Sequence, residues 1–303
     1  MTVTDASAPS RSTYFCRYCR QPSDPSAATC PLCGAPVDVR ASVSRSGWQK
    51  QPPIRDLARI QFGQSYCQIE GQQVPTADFT LAGNEWIYFS HHTLLWCDPS
   101  AQLQSMGMRG GWTRMAAGLP LIMVRGSGPG HIALSDNHAG EILALPLAPG
   151  QSIWVREHRF LTATGNVAYD WETSPIWFTT GTGDDQETHY PLGYIGDRFV
   201  AQQGPGLLLL HAPGNVFTRD LAPGETILIQ PGALVYRDVG VQAHLHLEYP
   251  HGAGVSWFRS TYSYRTVWIR LIGPGRVAVQ SVFERPENSE RITNSSYATE
   301  QSW

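Results

Sequence analysis

The sequence predicts an all-β body with an internal repeat, preceded by a small metal-binding ribbon. Three observations carry this. One turn pattern occurs three times, a Gly-Pro-Gly mark occurs three times, and a four-cysteine set stands ahead of both. The turn pattern reads Leu81-Ala82-Gly83-Asn84-Glu85-Trp86-Ile87, Leu147-Ala148-Pro149-Gly150-Gln151-Ser152-Ile153 and Leu221-Ala222-Pro223-Gly224-Glu225-Thr226-Ile227. Each copy holds a tight-turn core of Gly-Asn or Pro-Gly between apolar runs. A large apolar residue follows seven positions on, from Ile87 to Leu94, Ile153 to Phe160 and Ile227 to Leu234. The second mark is Gly128-Pro129-Gly130, Gly204-Pro205-Gly206 and Gly273-Pro274-Gly275. The leucines are 66 and 74 residues apart, and the Gly-Pro-Gly starts are 76 and 69 apart. Either mark alone is a turn signal. Two marks in one order at similar intervals argue for one β unit used three times.

Taken in order, residues 1–13 are rich in Ser, Thr, Ala and Pro and read as a disordered tail. They contain no apolar stretch of the kind a signal peptide needs. Residues 14–35 read as a zinc ribbon. Cys16, Cys19, Cys30 and Cys33 form a C-x2-C-x10-C-x2-C set. Each pair closes a tight turn that aims two sulfurs at one point, and Pro31 and Gly34 favour such a knuckle. Four thiolates suit tetrahedral Zn2+, one per chain, in a closed structural site. A rubredoxin-like iron site uses the same ligands, and paired disulfides are the non-metal alternative. Metal binding would drive folding of so small a unit. Residues 36–59 read as a linker broken by Ser42, Ser44, Ser46, Gly47, Pro52 and Pro53, with one helical turn over Ile54 to Ile60.

From residue 60 to 283 the chain reads as strand and turn. Turns recur about every 8–12 residues without a sustained helical period, which predicts an antiparallel sandwich or barrel. Residues 100–118, with Met106, Met108, Gly110, Gly111 and Met115, read as a long loop or a partner-facing surface. Residues 284–303 are polar and read as a flexible tail.

Composition narrows the function classes. Only 16% of the 303 residues are charged and 42% are hydrophobic, which leaves a lightly charged surface suited to a homo-oligomer or a protein partner. The net charge of -3 gives no general attraction for nucleic acid. Residues 1–59 do carry eight Arg/Lys against four Asp/Glu. With Tyr14, Phe15 and Tyr18 nearby, nucleic-acid contact through residues 11–59 is an alternative. The blander reading packs the aromatics over the metal turns. No apolar run is long enough to span a bilayer as a helix. Cys67 and Cys97 read as reduced thiols, which fits a cytoplasmic protein.

One constellation could carry enzyme chemistry. In a strand, His244, His246 and Glu248 share a face, and two imidazoles with a carboxylate suit a transition metal. This is the basis of a cupin-like metal-dependent enzyme or small-ligand binder. The glutamate comes too soon for that pattern. The competing reading turns Leu245 and Leu247 to the core and the polar trio outward. His91-His92 and the stretch from His131 to His138 lie beside turns. Asp184, Asp185 and Glu187 lack calcium-loop spacing and read as a solvated turn. Gly126 to Gly130 matches neither a Walker A loop nor a nucleophile elbow. Lys50 is the single lysine, so the body has no lysine-based site. No nucleophile–base pair is visible, and the protein reads as a non-enzyme.

The body resembles the altered inheritance of mitochondria protein 24 family. The resemblance lies in Gly118-Leu119 through Phe160, with Gly128-Pro129-Gly130, Gly140-Glu141-Ile142 and Leu147 to Ile153, and then Gly204 to Leu234. It covers about residues 60–283. It implies a β-sandwich of double-stranded-helix (TRAP-like) type with a pseudo-threefold internal repeat and a tendency to oligomerise. Eukaryotic relatives act in mitochondrial inner-membrane organisation. The four-cysteine ribbon departs from the plain family domain and suggests a bacterial variant with an added contact. The Lys/Arg pattern by which the tryptophan attenuator protein binds RNA is not carried, so the resemblance does not import RNA binding. The repeat, the low charge and the lack of a catalytic set favour a non-enzymatic scaffold or protein-interaction role.

Overall fold

The computed structural model describes residues 14–15, 22–23, 29–32, 34, 47–50, 58–106, 123–181, 183–247, 267–283 and 292–295. The chain divides into two compact units, Met1–Pro52 and Pro53–Trp303. In the first, β1 (Tyr14–Phe15) pairs antiparallel with β2 (Pro22–Ser23), and β3 is Gln49–Lys50.

The second unit is built of strands. β4 (Ala58–Phe62), β5 (Ser65–Glu70), β6 (Thr76–Leu81), β7 (Trp86–Ser90) and β8 (Leu94–Cys97) come first. β9 (Gln102–Met106), β10 (Met123–Ser127), β11 (Gly130–Ser135), β12 (Gly140–Leu147) and β13 (Ser152–Arg156) follow. Then come β14 (Phe160–Thr164), β15 (Val167–Thr173), β16 (Phe178–Thr180), β17 (Glu187–His189) and β18 (Ile195–Ala201). β19 (Gly206–Pro213), β20 (Val216–Leu221), β21 (Thr226–Ile229), β22 (Leu234–Asp238) and β23 (Gln242–Leu247) continue the order. β24 (Val267–Ile272), β25 (Gly275–Gln280) and β26 (Ile292–Ser295) complete it. Among the described residues no helix is long and apolar enough to cross a membrane.

Two stretches differ from the sequence reading. Residues 58–60, expected in a helical turn, belong to β4. There Arg59 and Gln61 are exposed while Ile60 and Phe62 pack on the core, a period of two that a helix cannot satisfy. Residues 292–295, expected in a loose tail, pair with β16. The long loop expected over 100–118 begins with β9, which pairs with β10; residues 107–118 lie outside the described residues.

The strands form several sheets, in a layered sandwich arrangement. A five-stranded sheet runs β4-β5-β6-β11-β8, and a six-stranded one runs β12-β19-β14-β7-β10-β9. In a third sheet, six strands of this unit run β15-β18-β13-β22-β25-β20. β21-β24-β23 and β17-β16-β26 are three-stranded. The six-stranded sheet is covered on both faces. Leu207 and Leu209 enter the core shared with Phe79, Ile132 and Phe89, while Leu208 and Leu210 enter the core shared with Val155, Phe199 and Tyr236. This explains why β19 is a continuous leucine run rather than an alternating one. Phe199 lies at the centre of the second core. Its ring stacks on Phe160 at 4.9 Å and meets Tyr169 at 5.4 Å.

The turn leucines sit where the sequence puts them. Leu81, Leu147 and Leu221 end β6, β12 and β20, and all are buried. In each turn a backbone N–H reaches back three residues: Glu85 to the Ala82 carbonyl (3.1 Å), Gln151 to Ala148 (2.9 Å) and Glu225 to Ala222 (2.9 Å). Gly150 and Gly224, with φ of 79° and 77°, supply the left-handed residue of a Pro-Gly type II turn.

The pairing order recurs along the chain. β11 pairs with β6 and β8, and β10 pairs with β7 and β9. β19 pairs with β12 and β14, and β18 pairs with β13 and β15. β25 pairs with β20 and β22, and β24 pairs with β21 and β23. Local bonds recur as well. Asp98 Oδ2 accepts from the His131 N–H at 3.0 Å, and Asp238 Oδ2 accepts from the Arg276 N–H at 2.8 Å. Two further ladders, β7 with β14 and β13 with β22, join one set of strands to the next.

Candidate functional site

The ribbon cysteines are described only in part. Cys30 is buried, and the Gly34 N–H donates to its carbonyl at 2.8 Å. Gly34 adopts a φ of 69°, a left-handed conformation that suits glycine and closes the turn. Leu32 at the tip of that turn is exposed. Cys16, Cys19 and Cys33 lie outside the described residues.

The His244/His246 strand is β23, whose ladder with β24 sets His244 opposite Arg270 and His246 opposite Trp268. Leu245 is buried, as its apolar side chain demands, but Leu247 is only half-buried and His246 is buried too. The expected outward-facing polar row is therefore not realised at His246. Burial holds the pKa of His244 below the usual histidine range, and the charge of Arg270 lowers it further. A guanidinium facing this strand also disfavours a divalent cation there, by like-charge repulsion. Glu248 lies outside the described residues.

A cluster the sequence did not assemble lies between the ends of several strands. A cleft of about 300 Å³ is lined by Ser90 at the end of β7 and His92 just after it, by the Asp136-Asn137-His138 turn and by the Glu157-His158-Arg159 turn, with Asp197 from β18. Asp136 is its hub. Its Oδ1 accepts from the His138 backbone N–H at 3.0 Å and lies 2.7 Å from His138 Nδ1. Its Oδ2 lies 3.6 Å from Nδ1 of the buried His211. Burial alone would raise the Asp136 pKa. The His138 hydrogen bond and the charge of His211 outweigh it, and the carboxyl is held below its ordinary value. His211 goes the other way. Its own burial lowers its pKa, Asp136 partly offsets this, and Arg159 reinforces it. His158 takes a left-handed φ of 63°, and burial followed by the Arg159 charge lowers its pKa.

This arrangement gives an ionised carboxylate shared by two imidazoles. It does not give a nucleophile. Ser90 Oγ contacts Met123 Sδ at 3.9 Å rather than an imidazole. Among the described residues no group of three or more His, Cys, Asp or Glu is placed to hold a metal ion. The contributing residues are far apart in sequence, so local pattern could not group them. The available signal was positional, because His92, His138 and His158 all fall in turns that follow core strands.

The remaining sequence candidates are dispersed. His131 lies beside Asp78 (3.4 Å) and Thr80 (3.4 Å) on the five-stranded sheet. Asp184, Asp185 and Glu187 are exposed, as a solvated turn should be.

Three comparisons place the chain among known proteins. A model of the family described as Mitochondrial biogenesis AIM24 matches residues 67–282. Among curated proteins no sequence matches the chain. A crystal structure of a Streptococcus pyogenes protein, from a structural-genomics programme, matches with a TM-score of 0.53 at 19% identity. That match covers 73% of this chain and 94% of the other. At this identity the likeness concerns the fold.

Proposed function

The chain belongs to the Mitochondrial biogenesis AIM24 family, and from that premise we propose that it is a non-enzymatic scaffold or protein-interaction protein. In this reading its body is a TRAP-like assembly of three related β units, and its N-terminal unit is a ribbon organised by one structural Zn2+. The observation that carries the reading is the pairing order, which runs the same way through three successive sets of strands. Its conspicuous residues are accounted for by backbone geometry and core packing. The cleft around Asp136 adds charge pairing without a nucleophile.

Three features support the ribbon. β1 and β2 are separated by the six residues that carry Cys16 and Cys19. Cys30 is buried. The Gly34 N–H turns back to the Cys30 carbonyl, a bond that would suit a metal knuckle. Thiolate ligation of zinc needs a reducing compartment, so the cytoplasm is the proposed location. Partner contact through an assembled oligomer is the proposed mode of action.

Metal analysis of the full chain tests the ribbon. The expected result is one zinc per chain, retained in His246→Ala and lost in Cys16→Ser. Zinc lost in His246→Ala and retained in Cys16→Ser would move the metal to β23 and revive the cupin-like reading. Iron or manganese in excess of the ribbon metal would count against a non-enzymatic body.

A further inference from the structure

We propose that the cleft between the first and second units binds a small organic cation, an ammonium or guanidinium group carried on an alkyl stem. The proposal rests on the three-unit reading above, because it uses the recurring strand order as an internal comparison, and it goes beyond the scaffold role. β7, β13 and β21 occupy one position in that order. β7 pairs with β14 at the first junction, and β13 pairs with β22 at the second. The registers agree. Ile87 faces Thr164 and Ile153 faces Asp238, each the fourth residue after the apolar position at Phe160 or Leu234. Residues at one junction therefore have counterparts at the other.

The counterparts differ in chemistry at three places. Ser90 and Arg156 both stand three residues after the isoleucine of the turn pattern. At the second junction Arg156 reaches across to the third unit, where its Nη1 donates to the Gly232 carbonyl at 2.7 Å. At the first junction Ser90 is far shorter, and its Oγ contacts Met123 Sδ. The turn that Arg156 meets is Pro231-Gly232-Ala233, and its counterpart at the first junction is Glu157-His158-Arg159. Asp197 faces Val155, two residues after the isoleucine. In the other units its place is taken by Val124, facing Phe89, and by Ile269, facing Ile229. All three are buried.

The fold needs no charge at the Asp197 position, since two of the three units use an aliphatic side chain there. Burying a carboxylate costs stability unless it is paired. The Tyr169 hydroxyl donates to Asp197 Oδ1 at 2.8 Å, which leaves the negative charge in place. Departures from local logic of this kind gather at functional sites. The cleft of about 300 Å³ that Asp197 lines also carries Asp136 and Glu157, against the one guanidinium of Arg159. Burial holds His158 and His211 below the usual histidine range, so neither offsets the carboxylates at neutral pH. Met123 and Phe160 line the same cleft and suit an alkyl stem, whose charged end stays among the polar groups. The second junction supplies a cation on an alkyl stem from its own chain, in Arg156. The first offers a cleft and three carboxylates in the corresponding place. Among the described residues no three donors converge as a metal site would require, so the carboxylates fit separate hydrogen-bond donors rather than a coordination shell.

Isothermal titration of the full chain at neutral pH tests this. Butylammonium and propylguanidinium serve as free cations, and acetyl-Gly-Lys-Gly-amide and acetyl-Gly-Arg-Gly-amide as side-chain probes. The expected result is saturable binding of one cation per chain. Binding of the free cations alone would assign the site to a small molecule, and tighter binding of a peptide would assign it to a partner's basic side chain. Either supports the site. Ser90→Arg, which installs the second junction's own cation, should abolish binding while the far-ultraviolet spectrum is kept. Asp197→Val, which borrows the residue of the first unit, should weaken binding by roughly tenfold to a hundredfold, the loss expected for one hydrogen bond to a charged group. Ser90→Arg serves as the check if the valine variant fails to fold. Absence of saturable binding with all four probes would overturn the proposal, and so would binding that Ser90→Arg leaves unchanged. The three-unit reading would survive either result, because the strand order does not depend on a ligand.

Discussion

β14 and β8 hold the same place in the recurring strand order, yet their surroundings are opposite. In β14, Thr162 and Ala163 are buried in a sheet covered on both faces, with β7 paired alongside. In β8, the counterparts Trp96 and Cys97 lie on a strand with no outer neighbour among the described residues, and Trp96 is about half exposed. The residues themselves do not explain this. Leu94-Leu95-Trp96-Cys97 is more apolar than Phe160-Leu161-Thr162-Ala163-Thr164. Apolar area removed from water contributes roughly 25 cal/mol per Å², so leaving the more apolar strand open runs against the usual logic of burial. The difference teaches that exposure in these two strands does not follow the polarity of their residues.

Four expected outcomes sharpen this contrast between filled interior and open edge. The largest effect belongs to the interior. Phe199 is fully buried against Phe160 and Tyr169, so Phe199→Ala should cost about 3–5 kcal/mol in denaturant unfolding. A loss near zero would mean that this core does not hold the body together.

The next effect belongs to an inner junction. A Cβ at Gly196 would lie 2.1 Å from Trp154 Nε1, and Trp154 faces Arg237 across the β13–β22 ladder. Gly196→Ala should cost about 1–3 kcal/mol by driving the indole from its place. Unchanged stability would show that Trp154 can move freely and that the junction is loosely packed.

A smaller effect is expected from an exposed ion pair. Both carboxylate oxygens of Asp220 accept from Arg276, at 2.7 and 2.9 Å, and this bond holds the aspartate pKa below its ordinary value of 3.8. A depressed folded-state pKa contributes stability that is fully present above 3.8 and is lost as the pH falls through the lowered value. The pair is largely exposed, so Asp220→Asn should cost only about 0–1 kcal/mol at neutral pH. The variant should also lose part of the acid-side slope of stability. A slope identical to that of the parent would remove Asp220 from the account.

The smallest effect on the single chain is expected at the open edge. Trp96→Lys should change the unfolding free energy of isolated chains by no more than about 0.5 kcal/mol. A large loss of single-chain stability would place Trp96 in a packed site and end the contrast with β14.

Much of this architecture was legible in the sequence. Leu81, Leu147 and Leu221 with their glycines announced the turns, because a Pro-Gly turn requires a left-handed residue at Gly150 and Gly224. The leucine run of β19 was read only as part of the β body; that it is buried on both faces came from the two cores it feeds. The junction ladders were not legible. Thr162 faces Phe89 across 73 positions of sequence, and no local period records such a pairing. The cluster around Asp136 was hidden for the same reason, since His211 reaches it from a distant strand. His246 was misjudged because period two assigns a face but does not say whether that face is covered.

The most direct test of the account is the native mass of the full-length protein at near-neutral pH. The account predicts an assembly whose mass is a multiple of the 33.5 kDa chain. A protein that remains a single chain at every concentration would contradict it.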